Sequence, residues 1–271
     1  TLLVLAGLSD TPEWSMGVGT DPQFMDHLQS MTGLTFKMIP PPAPKEGEPV
    51  PQPTARDELL AIAKVLEKHD CLIFADDIYE KIVYDGFEVH NIITLCPALR
   101  ERAVIVNGVS KTYAMTGWRI GYALGPSKII AAESKIQSQS TSNPTSIAQF
   151  AALEALRGPQ DEVAIMVRKF HKRRDVIVDR LNAIDGISCR KPEGAFYVFP
   201  NIAGLLGKTG REKKLNSPCE LADYLLEEAQ VAGVPGEDFG SHEHIRFSYA
   251  TALADIEKGC ERIRQAALKL V

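Results

Sequence analysis

Residues 110–122 read SKTYAMTGWRIGY and join two apolar stretches, residues 103–106 and 120–124. The segment is polar, contains glycine, and carries Lys111 and Arg119 eight positions apart. A short continuous apolar run such as 103–106 is typical of a buried parallel strand. A lysine just past the end of such a strand can lose its proton and attack a carbonyl, and a nearby arginine can bind a phosphate. The sequence therefore indicates an amine nucleophile and a phosphate site in one loop.

Those two functions together are what pyridoxal 5′-phosphate (PLP) requires, because a lysine forms a Schiff base with the aldehyde of this cofactor. An ordinary exposed lysine and a surface ion pair are the alternative interpretations of Lys111 and Arg119. Trp118, Ile120 and Tyr122 flank the arginine with bulky groups. This context predicts a buried guanidinium, which needs an anionic partner such as a phosphate.

Asp76 and Tyr79 directly follow a second apolar run, residues 71–75 (CLIFA). Ligands of open α/β sheets collect at the carboxyl ends of the strands, so we expect Asp76, Tyr79 and Lys111 to face one crevice. An aspartate in this place can keep a pyridine nitrogen protonated. Alternatively, Asp76 is a helix N-cap or turn residue, and Tyr79 a half-buried aromatic.

The order of the elements predicts an α/β domain followed by an α+β domain, with the boundary between residues 158 and 159. A capping box at 54–57 predicts the start of an amphipathic helix over 58–68, and segment 40–53, with seven prolines, predicts a linker. Further helices are predicted at 127–138, 145–156, 161–182, 218–229 and 253–271, and further strands at 187–190, 196–199, 231–235 and 245–249.

Arg246 lies in the last of these strands, in the sequence IRFSY. Strand alternation places Arg246 and Ser248 on one face and the bulky residues on the other. An arginine on a strand near a cleft can bind a carboxylate through two parallel hydrogen bonds. A strand-edge arginine without a ligand is the alternative.

The bulk composition argues against several classes of function. A formal net charge of −5 and a pI near 5.7 provide no electrostatic reason to expect nucleic-acid binding. The five scattered cysteines favour reduced thiols in the cytoplasm over a disulfide framework or a metal site. The apolar run 2–8 is too short to span a membrane and is interpreted as a strand.

Four segments together resemble the fold-type I PLP-dependent aminotransferases of the aspartate aminotransferase family. They are 76–79 (DDIY), 110–122, 193–197 (EGAFY) and 245–250 (IRFSYA). Segments 186–189 and 203–209 are similar to the bacterial branch that takes aspartate and, in some members, prephenate. The resemblance runs from about residue 57 to the C-terminus.

This resemblance implies a three-layer PLP-transferase large domain with a mostly parallel sheet (1–158) and a smaller α+β C-terminal domain (159–271). It implies transfer of an amino group from an aspartate-like amino acid to a 2-oxo acid such as 2-oxoglutarate, in a homodimer. Gly194 would let the chain pass close to the substrate.

The resemblance also implies a role for each candidate residue. Lys111 would form the Schiff base and act as the acid/base, and Asp76 would pair with the pyridinium nitrogen. Tyr79 would hydrogen-bond the phenolic oxygen of the cofactor. Ser110 and Arg119 would bind the phosphate, and Arg246 the α-carboxylate of the substrate.

The first 55 residues depart from the family pattern. Residues 51–54 (PQPT) stand where the family has an asparagine that contacts the cofactor, and the glycine-rich segment 17–20 (GVGT) is a weak candidate for a phosphate loop, with a common glycine-rich turn as the alternative. Two further readings therefore stay open beside the aminotransferase. One is a non-catalytic relative that acts as a binding or interaction module, and the other is a PLP lyase or racemase on the same scaffold.

Overall fold

The computed structural model describes residues 2–6, for which only the backbone is considered, and residues 55–271. Thr54 of the predicted capping box, segment 17–20 and the proline-rich segment 40–53 lie outside the described residues. The described residues divide into two compact units. Residues 2–6 and 55–163 belong to the first unit, and residues 164–271 to the second. The assignment of domains 1–158 and 159–271 stays a prediction.

The first unit contains a four-stranded sheet with the order β1–β2–β3–β4. Its strands are β1 (Leu2–Ala6), β2 (Leu72–Asp76), β3 (Ala103–Gly108) and β4 (Gly121–Leu124). β2 pairs in parallel with both β1 and β3, whereas β4 runs antiparallel to β3. The predictions of a mostly parallel sheet and of strands at 2–8, 71–75 and 103–106 are confirmed, with ends that differ by one to two residues.

The helices of the first unit are α1 (Ala55–Leu66), α2 (Ile92–Leu95), α3 (Ser127–Ser140) and α4 (Ser146–Arg157). α1 buries Leu59, Ala63 and Leu66, which recur at helical spacing, in one cluster with Ile73 of β2 and Ile105 of β3. This packing covers one face of the sheet and holds β2 and β3 in place. The short α2 and the 3₁₀ turns Pro97–Arg102 and Thr116–Trp118 escaped prediction because they are too short to show a period.

The second unit contains a three-stranded antiparallel sheet with β9 in its centre, in the order β5–β9–β8. The strands of this sheet are β5 (Tyr197–Val198), β8 (Val234–Pro235) and β9 (Ile245–Ser248), and β6 (Thr209–Gly210) and β7 (Lys213–Lys214) form a separate antiparallel pair. The helices are α5 (Asp161–Asn182), α6 (Pro218–Tyr224), which continues into a π-type turn at Leu225–Ala229, and α7 (Leu253–Leu268). A 3₁₀ turn at Gly236–Phe239 precedes β9. The α+β pattern and the predicted bounds of α5 are confirmed.

The strand predicted at 187–190 was wrong. Only Ser188 forms a bridge, with Asn201. The side chain of Asn182 at the end of α5 accepts a hydrogen bond from the Cys189 N–H at 2.7 Å and donates to the Cys189 carbonyl at 2.9 Å. Because this amide takes the place of a neighbouring strand, the apolar pattern of the segment does not lead to a ladder.

Candidate active site

Asp76, Tyr79 and Lys111 lie at the carboxyl edge of the β2–β3 pair. Asp76 is the last residue of β2 and pairs with Val106 of β3. Its Oδ1 accepts a hydrogen bond from the Ile78 N–H at 3.1 Å, which starts the turn that carries Tyr79. The Nζ of Lys111 lies 5.6 Å from the centroid of the Tyr79 ring, which is buried. The structure thus places the Lys111 amine near the Tyr79 ring, at the edge where β2 ends in Asp76, and the roles of these three residues stay a prediction.

The loop that carries Lys111 is held at both ends by antiparallel pairing. Gly108 of β3 faces Gly121 of β4, and the Val109 N–H donates to the Ile120 carbonyl at 3.4 Å. A Cβ atom at Gly108 would lie 2.9 Å from the Ile120 carbonyl oxygen, so this close approach requires glycine. Ser110 and Arg119 are the next residues after this pairing, and so occupy the two ends of the loop.

Two buried apolar residues attach the same loop to α4. Val109 and Ile120 are buried in a cluster with Ala148 and Ala152 of α4. Two turn hydrogen bonds, from the Tyr113 N–H to the Val109 carbonyl and from the Ala114 N–H to the Lys111 carbonyl, each measure 3.2 Å. The backbone of Lys111 is therefore fixed, while its side chain extends toward Tyr79.

Arg119 differs from the sequence prediction. Its side chain is exposed, and its Nη1 donates to the Thr116 carbonyl at 3.0 Å. The left-handed backbone of Arg119, with φ = +56°, separates its side chain from the buried Ile120, and Trp118 is itself 45% exposed. The prediction of a buried guanidinium was wrong, but an exposed guanidinium at the end of the loop is accessible to a phosphate.

Asp77, the second carboxylate of the DDIY segment, has a separate structural role. Its N–H donates to the Val106 carbonyl at 2.9 Å, and its Oδ2 accepts a hydrogen bond from the side chain of Asn91. Burial raises the pKa of Asp77 from 3.8 to about 6; the Asn91 hydrogen bond opposes this rise, and the charges of Glu80 and Asp76 add to it. Asn91 in turn caps α2 by accepting from the Ile93 N–H at 2.9 Å.

Asp77→Asn is expected to flatten the pH dependence of stability. The pKa of Asp77 in the folded protein lies above its ordinary value, so the folded state binds this proton more tightly than the unfolded state between about pH 4 and about pH 6. The stability of the wild type therefore falls as pH rises through this window. Urea unfolding at about pH 4.5 and about pH 7.5 should show a smaller decline for Asp77→Asn, which still accepts from Asn91. The exposed Asp185→Asn serves as control, and an equal decline in all three proteins would contradict the prediction.

Arg246 lies in the second unit, on the central strand β9. Ile245 and Phe247 are buried, whereas Ser248 is exposed, so the predicted alternation is confirmed. The guanidinium carbon of Arg246 lies 4.5 Å from the centroid of the Tyr197 ring and 4.7 Å from that of Phe239. Two aromatic faces hold the guanidinium by cation–π contact and restrict its plane.

The sequence pattern around Arg246 did not predict its contacts with Tyr197 and Phe239. Tyr197 faces Ser248 on the neighbouring strand, and Phe239 ends the 3₁₀ turn before β9. Only the strand register could have revealed the first contact, and no sequence signal revealed the second. The arrangement orients the planar guanidinium, whose fork geometry suits a carboxylate.

Over residues 55–271 and the short strand β1, no group of three His, Cys, Asp or Glu side chains is placed to hold a metal ion. No helix in these ranges is both long and apolar enough to span a bilayer. The five cysteines are free thiols.

The sequence of the chain is similar to those of known aminotransferases. The family model of aminotransferase class I and II matches residues 53–263. The aspartate aminotransferase of Rhizobium meliloti (strain 1021) is 49% identical over 211 residues, which cover 77% of this chain and 52% of that protein. The aspartate/prephenate aminotransferase of Cereibacter sphaeroides is likewise 49% identical over 211 residues, covering 77% of this chain and 53% of that protein. The chain thus spans about half the length of these relatives.

Solved structures show the same relationship. The crystal structure of the aspartate aminotransferase from Rhizobium meliloti superimposes with a TM-score of 0.82 at 38% identity, covering 100% of this chain and 71% of that one. A Thermus thermophilus aspartate aminotransferase double mutant gives a TM-score of 0.72 at 30% identity, covering 98% of this chain and 57% of that one. The fold is the α/β fold of these transferases, and the chain belongs to the class I and II aminotransferase family.

Proposed function

We propose that this protein is a PLP-dependent aminotransferase, which moves an amino group from an aspartate-like amino acid to a 2-oxo acid such as 2-oxoglutarate. The observation that carries this proposal is the position of the Lys111 amine, 5.6 Å from the centroid of the Tyr79 ring, at the edge where β2 ends in Asp76. The relatives named above, an aspartate and an aspartate/prephenate aminotransferase, support the choice of substrate class.

The residues at the sheet edge fit PLP chemically. An amine, a phenol and a carboxylate lie at one edge, and Ser110 and the exposed Arg119 stand at the two ends of the Lys111 loop. A carboxylate suits a protonated ring nitrogen, a phenol suits a phenolate oxygen, and a guanidinium suits a phosphate. When bound, PLP supplies an electron sink for the carbanion that forms at the substrate Cα.

Each side chain then has one task. Lys111 Nζ would hold the cofactor covalently and would be the base that takes the proton from the substrate Cα. The Asp76 carboxylate would keep the ring nitrogen of PLP protonated, and the Tyr79 hydroxyl would donate to its phenolate oxygen. Ser110 and Arg119 bind the phosphate, and Arg246 binds the α-carboxylate in a bidentate manner.

The proposal includes a homodimer in the cytoplasm. The free thiols support a reducing compartment. On α4, Ile147 and Phe150 are each 72% exposed, and large apolar side chains on a surface are typical of sites that meet another protein. Sedimentation of the purified protein at several concentrations tests the dimer.

Spectroscopy and turnover of the wild-type protein test the proposed function. Addition of PLP should produce a visible absorbance band, and addition of aspartate and 2-oxoglutarate should produce oxaloacetate and glutamate in equal amounts. A band without turnover would instead indicate a binding module. A band with decarboxylated, eliminated or racemised product would indicate a lyase or racemase. Absence of a band would overturn the assignment of PLP.

A further inference from the structure

The turn before β5 contains a strained residue. Ala195 adopts a left-handed backbone with φ = +58° and is 2% exposed. A residue with a Cβ atom is disfavoured in this region, so it persists only where neighbouring groups hold it there. The turn leads directly into Tyr197, whose ring packs against the guanidinium of Arg246.

Tyr249 holds one end of this turn. It is fully buried, and its hydroxyl donates a hydrogen bond to the Ala195 carbonyl at 3.1 Å. Its own N–H donates to the Phe196 carbonyl at 2.9 Å. Since Tyr249 directly follows β9, these two hydrogen bonds connect the strained turn to the strand that carries Arg246.

Arg174 holds the other end. It is also fully buried, and its Nη1 donates to the Pro192 carbonyl at 3.0 Å. Its Nε and Nη2 donate to Asp175 Oδ1 at 3.0 and 2.8 Å, and Lys191 Nζ lies 2.9 Å from the same oxygen. The buried charge is therefore neutralised locally, and the guanidinium is directed at the start of the turn by α5, the longest helix of the second unit.

We propose that Arg174 and Tyr249 are positioning residues for the substrate carboxylate. They hold the turn at 192–196 from both ends and so place the Tyr197 ring against Arg246 before the substrate binds. The arginine then presents its fork in one orientation, and the carboxylate binds without prior ordering of the turn. This inference rests on the proposed function, because it assigns the preorganised arginine to the α-carboxylate of the amino acid.

Tyr249→Phe tests the proposal with the removal of a single hydroxyl. We expect KM for aspartate to rise about 10-fold, the size of the loss of one buried hydrogen-bond partner, with kcat and the Kd for PLP changed less than about 2-fold. Hydrogen exchange at the amides of residues 193–197 should accelerate by about 10-fold or more. Arg174→Lys keeps the charge but loses the fork, and should change the same quantities in the same direction.

Tyr224→Phe is the matched control. Tyr224 is a buried tyrosine of the same unit, and its hydroxyl donates to the Ala266 carbonyl at 3.0 Å. Its loss should lower stability to a similar extent and leave KM and the exchange at 193–197 unchanged. An equal rise of KM in Tyr224→Phe and Tyr249→Phe, or unchanged exchange in Tyr249→Phe, would overturn the proposal.

The test separates this proposal from the proposed function. Failure of the wild type to bind PLP or to transaminate would count against the function alone, because hydrogen exchange does not depend on turnover. Calorimetric titration with 2-oxoglutarate then provides the second readout. Weaker binding in Tyr249→Phe than in Tyr224→Phe supports the positioning role, and equal binding contradicts it. If Arg174→Lys does not fold, Tyr249→Phe still decides.

Discussion

Lys111→Ala is expected to abolish the visible band of bound PLP and to lower transamination by about 10⁴-fold. In the proposed function the amine is both the covalent attachment point and the group that moves the Cα proton, and acid–base catalysis alone contributes about 10²–10⁴-fold. The measurements are absorbance after addition of PLP and the rate of oxaloacetate formation from aspartate. Lys111→Arg should be equally inactive, because an arginine keeps the charge but does not lose its proton.

Lys128→Ala is the control for the loss of a lysine. Lys128 is exposed on α3 and has no role in the proposed site, so its removal should leave both the band and the rate unchanged. A band of wild-type size in Lys111→Ala would show that another amine binds the cofactor. Partial activity in Lys111→Arg would show that charge, and not nucleophilicity, is the contribution of this residue.

Arg246→Gln is expected to weaken the binding of aspartate by about 2–4 kcal/mol, which corresponds to about 30- to 1,000-fold in KM. The variant removes the fork held between Tyr197 and Phe239, whereas the residues expected to bind PLP all belong to the first unit. The Kd for PLP should therefore stay within about 2-fold of the wild-type value. The KM of Arg246→Lys for aspartate should lie between those of the wild type and Arg246→Gln, since a lysine keeps the charge and loses the bidentate geometry.

Arg180→Gln provides the matched control for a lost arginine. Arg180 forms an exposed ion pair with Glu257 at 2.9 Å in the same unit, and such pairs contribute only about 0–1 kcal/mol. Its KM for aspartate should equal that of the wild type. Equal losses of aspartate and PLP affinity in Arg246→Gln would contradict the assignment of this arginine to the substrate.

Local patterns made several strands and helices predictable from sequence. The continuous apolar runs at 71–75 and 103–106 correspond to buried parallel strands, and the position of a strand end fixes where Asp76 and Lys111 lie. Helical periodicity over 161–182 matched α5 from end to end. These features depend on near neighbours in the chain, which is why a single sequence is sufficient for them.

The wrong or missing predictions concern residues whose structure depends on contacts distant in sequence or on an unusual backbone conformation. The amide of Asn182 replaced a strand partner at Cys189. Arg119 has a left-handed backbone, and its side chain is exposed although its neighbours in sequence are bulky. The ring of Tyr197 reached Arg246 through the strand register and that of Phe239 through the turn before β9, and neither is encoded in the local pattern. Asp77 and Asp76 look alike in sequence, yet only the fold shows that Asp77 is the carboxylate whose pKa burial raises to about 6.

The division of the described residues into two compact units has an evolutionary consequence. Lys111, Asp76 and Tyr79 lie in the first unit, whereas Arg246 and its two aromatic neighbours lie in the second. Substitutions around Arg246 are therefore expected to change carboxylate binding without changing the residues that surround the Lys111 amine. Directed evolution that alters how the substrate carboxylate is held can therefore begin with a library confined to residues 164–271, while the residues around the amine stay constant.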